Sequence, residues 1–169
     1  YSEVKKNDKT FEECRQLLID DKIILMFPEG ICIQERRLRP LKKGLARIVF
    51  QTAASINFSK DILVVPIGIN YSDAKNFRSK VVVDFGKPIS ILEYKEAYIS
   101  DNVRAINEFT RVLEEKMAPQ LVIIKKPENE NLVAAIEEMY LKQWMKNKGV
   151  DTEDLFQQYK ASQEIAEMI

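Results

Sequence analysis

Ile23-Ile24-Leu25-Met26-Phe27-Pro28-Glu29-Gly30 is the stretch on which the reading of this chain turns. Lys22 to Phe27 is a short, nearly continuous apolar run, the pattern of a strand covered on both faces, and Pro28 with Gly30 stops it. One carboxylate, that of Glu29, is thereby delivered into a turn at the strand's carboxyl end, where open α/β proteins present polar sites. Just upstream, Thr10 and Glu13 have the spacing of a capping box. Phe11, Cys14, Leu17 and Leu18 form the apolar stripe of a helix that runs to about Asp20.

Downstream, a loop from Pro28 to Lys43 leads into a segment, Leu45 to Ile56, with apolar residues at Leu45, Ile48, Val49, Thr52 and Ala53. That is helical spacing, and Gly44 sits at its mouth. Ile62 to Ile69 reads as a second buried strand, in which Pro66 removes a ladder donor and predicts a distortion or a strand end. Val81 to Phe85 reads as a third strand, closed by Gly86 and Pro88. Helix, strand, helix, strand, strand, helix predicts an α/β architecture: a partly parallel central sheet flanked by helices. The rest is helical. Val103, Ile106, Thr110, Leu113 and Met117 share a face that Pro119 ends; Val133, Ile136, Tyr140 and Trp144 share another. Leu155, Phe156, Tyr159 and Ile165 share a third, after a break at Gly149. The expected division is an α/β domain over residues 1–126 and a C-terminal helical extension over 127–169, with no internal repeat and no low-complexity linker.

Composition narrows the function classes. The 169 residues suffice for one domain with a real core. Lysine and arginine total 26 and aspartate and glutamate total 26, so no global field gathers nucleic acid, and electrostatic recognition has to be local. Cys14 and Cys32 have neither metal-site nor disulfide spacing, which favours a reducing compartment and predicts no metal. No apolar run approaches the roughly 18 to 20 residues of a membrane span, and no signal peptide pattern opens the sequence. Tyr1 is not an initiator methionine, and Tyr1 to Lys9 carries neither cap nor apolar pattern, so a processed or partial chain is expected.

A Pro-Glu-Gly turn alone is usually architecture, and a run of cations alone is usually a solvated loop. Here they follow one another. Arg36, Arg37, Arg39, Lys42 and Lys43 lie between the turn and the second helix, and Lys43-Gly44 opens that helix, whose leading amides favour anions. Guanidinium groups pair bidentately with phosphate, and a helix terminus adds donors that are already oriented. The combination predicts a phosphate site, with Glu29, Lys43 and at least one of the arginines along one crevice.

Phe27-Pro28-Glu29-Gly30, then Pro40-Leu41-Lys42-Lys43-Gly44 with Ala46-Arg47 behind it, then Val65-Pro66-Ile67, resemble the later conserved blocks of the glycerolipid acyltransferases. That family includes the glycerol-3-phosphate and lysophosphatidate acyltransferases, and the resemblance covers roughly Thr10 to Gly86. It implies transfer of a fatty acyl group from an acyl thioester, acyl-CoA or acyl carrier protein, to a hydroxyl of a phosphorylated glycerol or lysophospholipid in phospholipid synthesis, with no further cofactor. It implies substrate-binding roles for Phe27, Pro28, Glu29, Gly30, Arg36, Arg37, Arg39, Lys42, Lys43 and Gly44. It also implies a cytoplasmic enzyme, peripheral at the inner face of a membrane.

The family's first block, a His-x4-Asp motif that supplies the base and the carboxylate orienting it, has no counterpart, because the chain contains no histidine. The resemblance therefore predicts a C-terminal portion whose catalytic histidine and aspartate lie outside these residues, inactive by itself. The family usually continues the glycine with threonine or serine and then arginine. Ile31 and Cys32 stand there instead, which leaves Arg36, Arg37 and Arg39 as alternatives for the phosphate contact. Two other readings stay open: a non-enzymatic lipid-phosphate or anion-binding module of the same fold, and an unrelated α/β domain. For Met139, Tyr140, Trp144 and Met145, core packing or helix pairing competes with an acyl groove or a membrane-facing surface.

Overall fold

The fold was obtained as a computed structural model that describes residues 2–31, 33, 35–73 and 77–169, with side chains from Lys9 onward. Six α-helices and four short strands appear among them: α1 (Ser2–Ile19), α2 (Gly44–Ser55), β1 (Leu63–Val64), β2 (Ile67–Tyr71), β3 (Val81–Phe85), β4 (Ile89–Ser90), α3 (Lys95–Ser100), α4 (Asn102–Met117), α5 (Glu130–Asn147) and α6 (Leu155–Met168). They form two compact units. The first gathers residues 1–32, 40–65 and 87–114, the second residues 33–39, 66–86 and 115–169.

In the first unit α2 supplies the core, burying Ala46, Ile48, Val49, Phe50, Thr52 and Ala53. The Phe50 ring stacks on Tyr98 at 4.8 Å and meets Phe109 edge-on at 5.5 Å, and Tyr94 closes on Phe109 at 5.3 Å. Burial of a ring this size stabilises by about 1.5 to 3 kcal/mol before its aromatic contacts are counted. Thr52 is buried without cost because its hydroxyl donates to the Ile48 carbonyl at 2.8 Å. The Lys60 ammonium closes α1, donating to the Ile19 carbonyl and to the Asp21 carboxylate, each at 2.6 Å.

Two expectations are corrected here. α1 begins at Ser2, so Thr10 lies inside a helix rather than capping one; nothing between Ser2 and Lys9 breaks a helix. More consequentially, the strands of the described residues make two separate two-stranded sheets, β1 with β4 and β2 with β3, both antiparallel. The expected partly parallel central sheet is not formed among them. Lys22 to Phe27 is extended but belongs to neither sheet, and Ile23, Leu25 and Phe27 are 98%, 65% and 69% exposed. Alternate residues along that segment are uncovered, so the cover on both faces that its composition demands is absent. Mixed helix and sheet stands; the sheet's direction does not. Pro66 divides β1 from β2 as its missing donor requires.

In the second unit Val133, Tyr159 and Ile165 are buried as their spacing predicts and Met145 is buried as well, whereas Met139, Tyr140 and Phe156 are exposed, so the apolar faces are covered only in part. Ile124, Val133, Ile165 and Ala166 form a buried cluster, flanked by Val122, Ile136 and Leu141. Asp154 caps α6, its carboxylate accepting from the amides of Phe156 and Gln157 at 2.8 and 3.1 Å, and Gly149 takes the left-handed conformation that ends the preceding turn. The β2–β3 hairpin packs on residues 118–121 through Asn70, which donates to the Gln120 carbonyl at 2.9 Å and accepts from the Val122 amide at 3.0 Å. That approach requires Gly68, since a Cβ there would lie 1.7 Å from the Gln120 carbonyl oxygen. The Tyr159 hydroxyl donates to Asp84 at 3.1 Å, fastening α6 to β3, and desolvation, reinforced by that carboxylate, pushes its pKa up.

Candidate functional site

Phe27, Pro28, Glu29 and Gly30 form a turn closed by the Gly30 amide, which donates to the Phe27 carbonyl at 3.2 Å. Proline's fixed φ suits the turn's second position, and Gly30 leaves it with φ +71°, in the left-handed region. The Lys42 amide then donates to the Pro28 carbonyl at 2.7 Å, and a Cβ on Gly30 would stand 3.3 Å from the Lys42 side chain. Segments more than ten residues apart in sequence are thus strapped side by side. Glu29 is half-buried in this turn, whereas the Phe27 ring is exposed.

Immediately beyond Lys42, Lys43 occupies the N-cap of α2 and its side chain makes no capping hydrogen bond; the first turn of the helix holds no acidic residue. The leading amides of the helix thus take no acceptor from the N-cap side chain, and two lysines stand beside them. Gly44 seats this end of α2 against α1, within 3.8 Å of the Phe11 ring as measured from a Cβ position.

The three arginines lie in the second unit, and each meets a carboxylate. Arg37 and Arg39 both turn to Glu35, at 2.5 and 2.7 Å. Desolvation pushes the Glu35 carboxyl up, but the hydrogen bonds and charges of Arg37 and Arg39 together pull harder and hold it below its ordinary value. Arg36 is engaged differently. One guanidinium nitrogen donates to both oxygens of Glu137 at 2.8 Å, its backbone amide donates to Glu130 at 2.9 Å, and its carbonyl accepts from the Ile124 amide at 2.7 Å. The space left among Glu35, Arg36, Arg37, Ile124, Pro127 and Glu130 is about 30 Å³, room for a water molecule.

Of the residues singled out from sequence, Pro28, Glu29, Gly30, Lys42, Lys43 and Gly44 are drawn together in the first unit, and Arg36, Arg37 and Arg39 in the second. Cys32 lies outside the described residues. The partners of the arginines were not anticipated. Glu35 adjoins them in sequence, and the only signal for Glu130 and Glu137 is their spacing of seven, which puts both on one face of α5. Among the described residues, no helix is long and apolar enough to cross a membrane, and no group of acidic and cysteine side chains could hold a metal ion.

Residues 2–70 match the model of the acyltransferase family. An uncharacterized acyltransferase of Schizosaccharomyces pombe is 34% identical over 101 residues, 58% of this chain and 15% of the relative. Glycerol-3-phosphate O-acyltransferase 2 of Saccharomyces cerevisiae is 32% identical over 99 residues, 58% of this chain and 13% of that protein. Glycerol-3-phosphate O-acyltransferase 1 of the same yeast is 30% identical over 130 residues, 75% of this chain and 17% of the relative. The chain thus spans about a sixth of the length of these relatives. No solved structure matches it. The turn, the basic segment and the helix mouth all lie inside the residues that match, and over them the chain is similar to the glycerolipid acyltransferases.

Proposed function

We propose that this chain is the acceptor-binding part of an enzyme that transfers a fatty acyl group from acyl-CoA or acyl carrier protein to a hydroxyl of glycerol phosphate or a lysophospholipid, in phospholipid synthesis at a membrane surface. The observation that carries the reading is the Pro28-Glu29-Gly30 turn strapped by the Lys42 amide at 2.7 Å, directly before the uncapped mouth of α2. The acceptor's phosphate takes the amides of the helix mouth and the lysines beside it, and the carboxylate of Glu29 accepts from the acceptor's hydroxyls. In the reaction the acceptor oxygen attacks the thioester carbonyl, the carbon–sulfur bond breaks, and the thiol leaves. The acceptor's proton needs a base near neutral pH, and with no histidine in the sequence that base comes from residues outside this chain. The 169 residues alone are therefore expected to release no thiol from an acyl thioester in the presence of glycerol-3-phosphate.

The decisive variant is Glu29→Gln in the intact protein. Glutamine keeps the size and one acceptor oxygen but loses charge-assisted contacts of about 1.5 to 3 kcal/mol, which lowers catalytic efficiency roughly ten- to hundredfold. Steady-state kinetics with an acyl thioester and glycerol-3-phosphate, alongside a melting curve, make the measurement. Unchanged kinetics with an unchanged melt would reduce the turn to architecture and favour an anion-binding module instead.

A further inference from the structure

The β2–β3 hairpin carries its side chains in the reverse of the usual order. Directly opposed residues of an antiparallel pair share a face. Gly68 with Asp84 and Asn70 with Val82 make one face; Ile67 with Phe85, Ile69 with Val83 and Tyr71 with Val81 make the other. The first face holds the polar groups and turns inward. Asn70 is hydrogen-bonded to Gln120 and Val122, and Asp84 accepts from the Tyr159 hydroxyl and the Lys160 ammonium. The second face is wholly apolar and turns outward, with Tyr71, Val81, Val83 and Phe85 exposed and the two isoleucines half-buried. A hairpin packed by one face on a core normally buries its apolar residues and shows the polar ones to water. The far end is also distinctive. The Ser72 amide donates to the Lys80 carbonyl at 2.9 Å, and beyond that closure Phe77 stands 91% exposed with the Arg78 guanidinium 5.6 Å from its ring centre. In sequence, residues 72–80 carry three cations against one carboxylate, Asp73.

We infer that this hairpin is a lipid contact: its apolar face lies on a bilayer that contains anionic lipids, with Phe77 wedged between headgroups and Arg78 and Lys80 pairing with their anionic groups. Three features favour lipid over a protein partner. The most exposed aromatic of the hairpin is at the extremity of the patch, where a wedge sits, whereas a protein interface keeps its aromatic anchors near the centre. The charges at that end are mostly cations, which suits the negative surface of a bilayer. Tyr71, apolar in its ring and polar at its tip, stands at the same end, as tyrosines do at headgroup depth. The open edges of a two-stranded sheet confine the contact to the interface, because unpaired amides and carbonyls do not enter hydrocarbon. The inference rests on the proposed function for its setting, a membrane surface, and gives that surface a named contact in the chain.

A photoreactive probe tests it. In the intact protein a benzophenone-bearing phenylalanine replaces Phe77 or, for comparison, Tyr140, which is also exposed but lies on α5. Each protein is irradiated with vesicles of phosphatidylcholine, with and without phosphatidylserine, and the adducts are identified by mass. The probe at position 77 should give lipid adducts, about tenfold more with phosphatidylserine present, and more than the probe at position 140 gives. Arg78→Gln should cut the yield with phosphatidylserine about fivefold and leave that on phosphatidylcholine alone unchanged, as loss of one cation near a charged surface does. Phe77 and Arg78 are both exposed, so neither change disturbs the core, and an unchanged melting curve checks this. Adducts from position 77 to protein, whether to another segment of the same polypeptide or to a second copy, would show that protein covers the face and overturn the inference. Absence of any adduct, equal lipid yields at the two positions, or a yield indifferent to phosphatidylserine would overturn it as well. Acylation of glycerol-3-phosphate is assayed in the same preparation: if it fails while lipid adducts form at position 77, the proposed function falls and the lipid contact stands.

Discussion

The two clusters of cations in this chain solve the same problem by opposite means. At Lys42-Lys43-Gly44 the anion-attracting elements are backbone: the first amides of α2, left uncapped and without an acidic residue in the first turn. At Arg36-Arg37-Arg39 they are side chains, each met by a carboxylate before any ligand arrives. A helix mouth is preorganised by the helix itself and needs no counter-charge to stay in place. Guanidinium groups on a turn need carboxylates to hold them still, and those carboxylates then compete with the ligand. Cations a few residues apart are therefore not equivalent as ligands, because the structure behind each differs.

Perturbations should separate the two regions, and the largest effect is expected in the second unit, which carries the arginines. Gly68→Ala drives a methyl group onto the Gln120 carbonyl, backbone against backbone, and should destabilise by about 3 kcal/mol. Chemical denaturation measures the loss, and hydrogen exchange should quicken in β2, β3 and residues 118–121 while the amides of α2 keep their protection. Second in size is Gly30→Ala, in the turn of the first unit. Its φ of +71° disfavours a side chain, and the flexible Lys42 can yield, so the cost should be about 1 to 2 kcal/mol. An unchanged melting temperature would mean that the turn readily adopts another conformation.

Lys43→Asp should separate stability from function. An acidic residue at the mouth of α2 should stabilise the helix by about 0.3 to 1 kcal/mol, while repelling the acceptor's phosphate raises its Michaelis constant about tenfold. A gain in both properties would remove the helix mouth from the acceptor site. The smallest effect is expected in acid. Hydrogen bonds from Lys148 and then Trp144 outweigh desolvation and hold the Glu164 carboxyl below its ordinary value of 4.5. A depressed folded-state pKa means stabilisation fully present above that value and lost as pH falls through the folded-state pKa. Glu35 follows the same sign. Melting curves between pH 6 and pH 3 should show Glu164→Gln narrowing its deficit against the parent, by less than about 1 kcal/mol for a pair this exposed. A deficit that stays constant over that range would show that the pair contributes nothing to acid sensitivity.

Local chemistry was legible in the residues themselves. The helices α2, α4, α5 and α6 follow from the spacing of their apolar residues, the break between β1 and β2 from the donor Pro66 lacks, and the turn at Phe27 to Gly30 from proline's fixed φ and glycine's tolerance of a positive one. The family was legible as well, from three short blocks in order. What pairs with what was not. The apolar run Lys22 to Phe27 reads as a buried strand because composition records what a segment needs, whereas its exposure depends on which neighbours are present. Arg36, Arg37 and Arg39 look alike because charge is a property of the residue. That one is hydrogen-bonded to α5 while the others meet a carboxylate in their own turn was decided only when the chain brought Glu130 and Glu137, about a hundred residues away, against the first of them. Periodicity and turn preference arise from interactions within a few residues, and pairing across a hundred residues is set by the packing of whole elements.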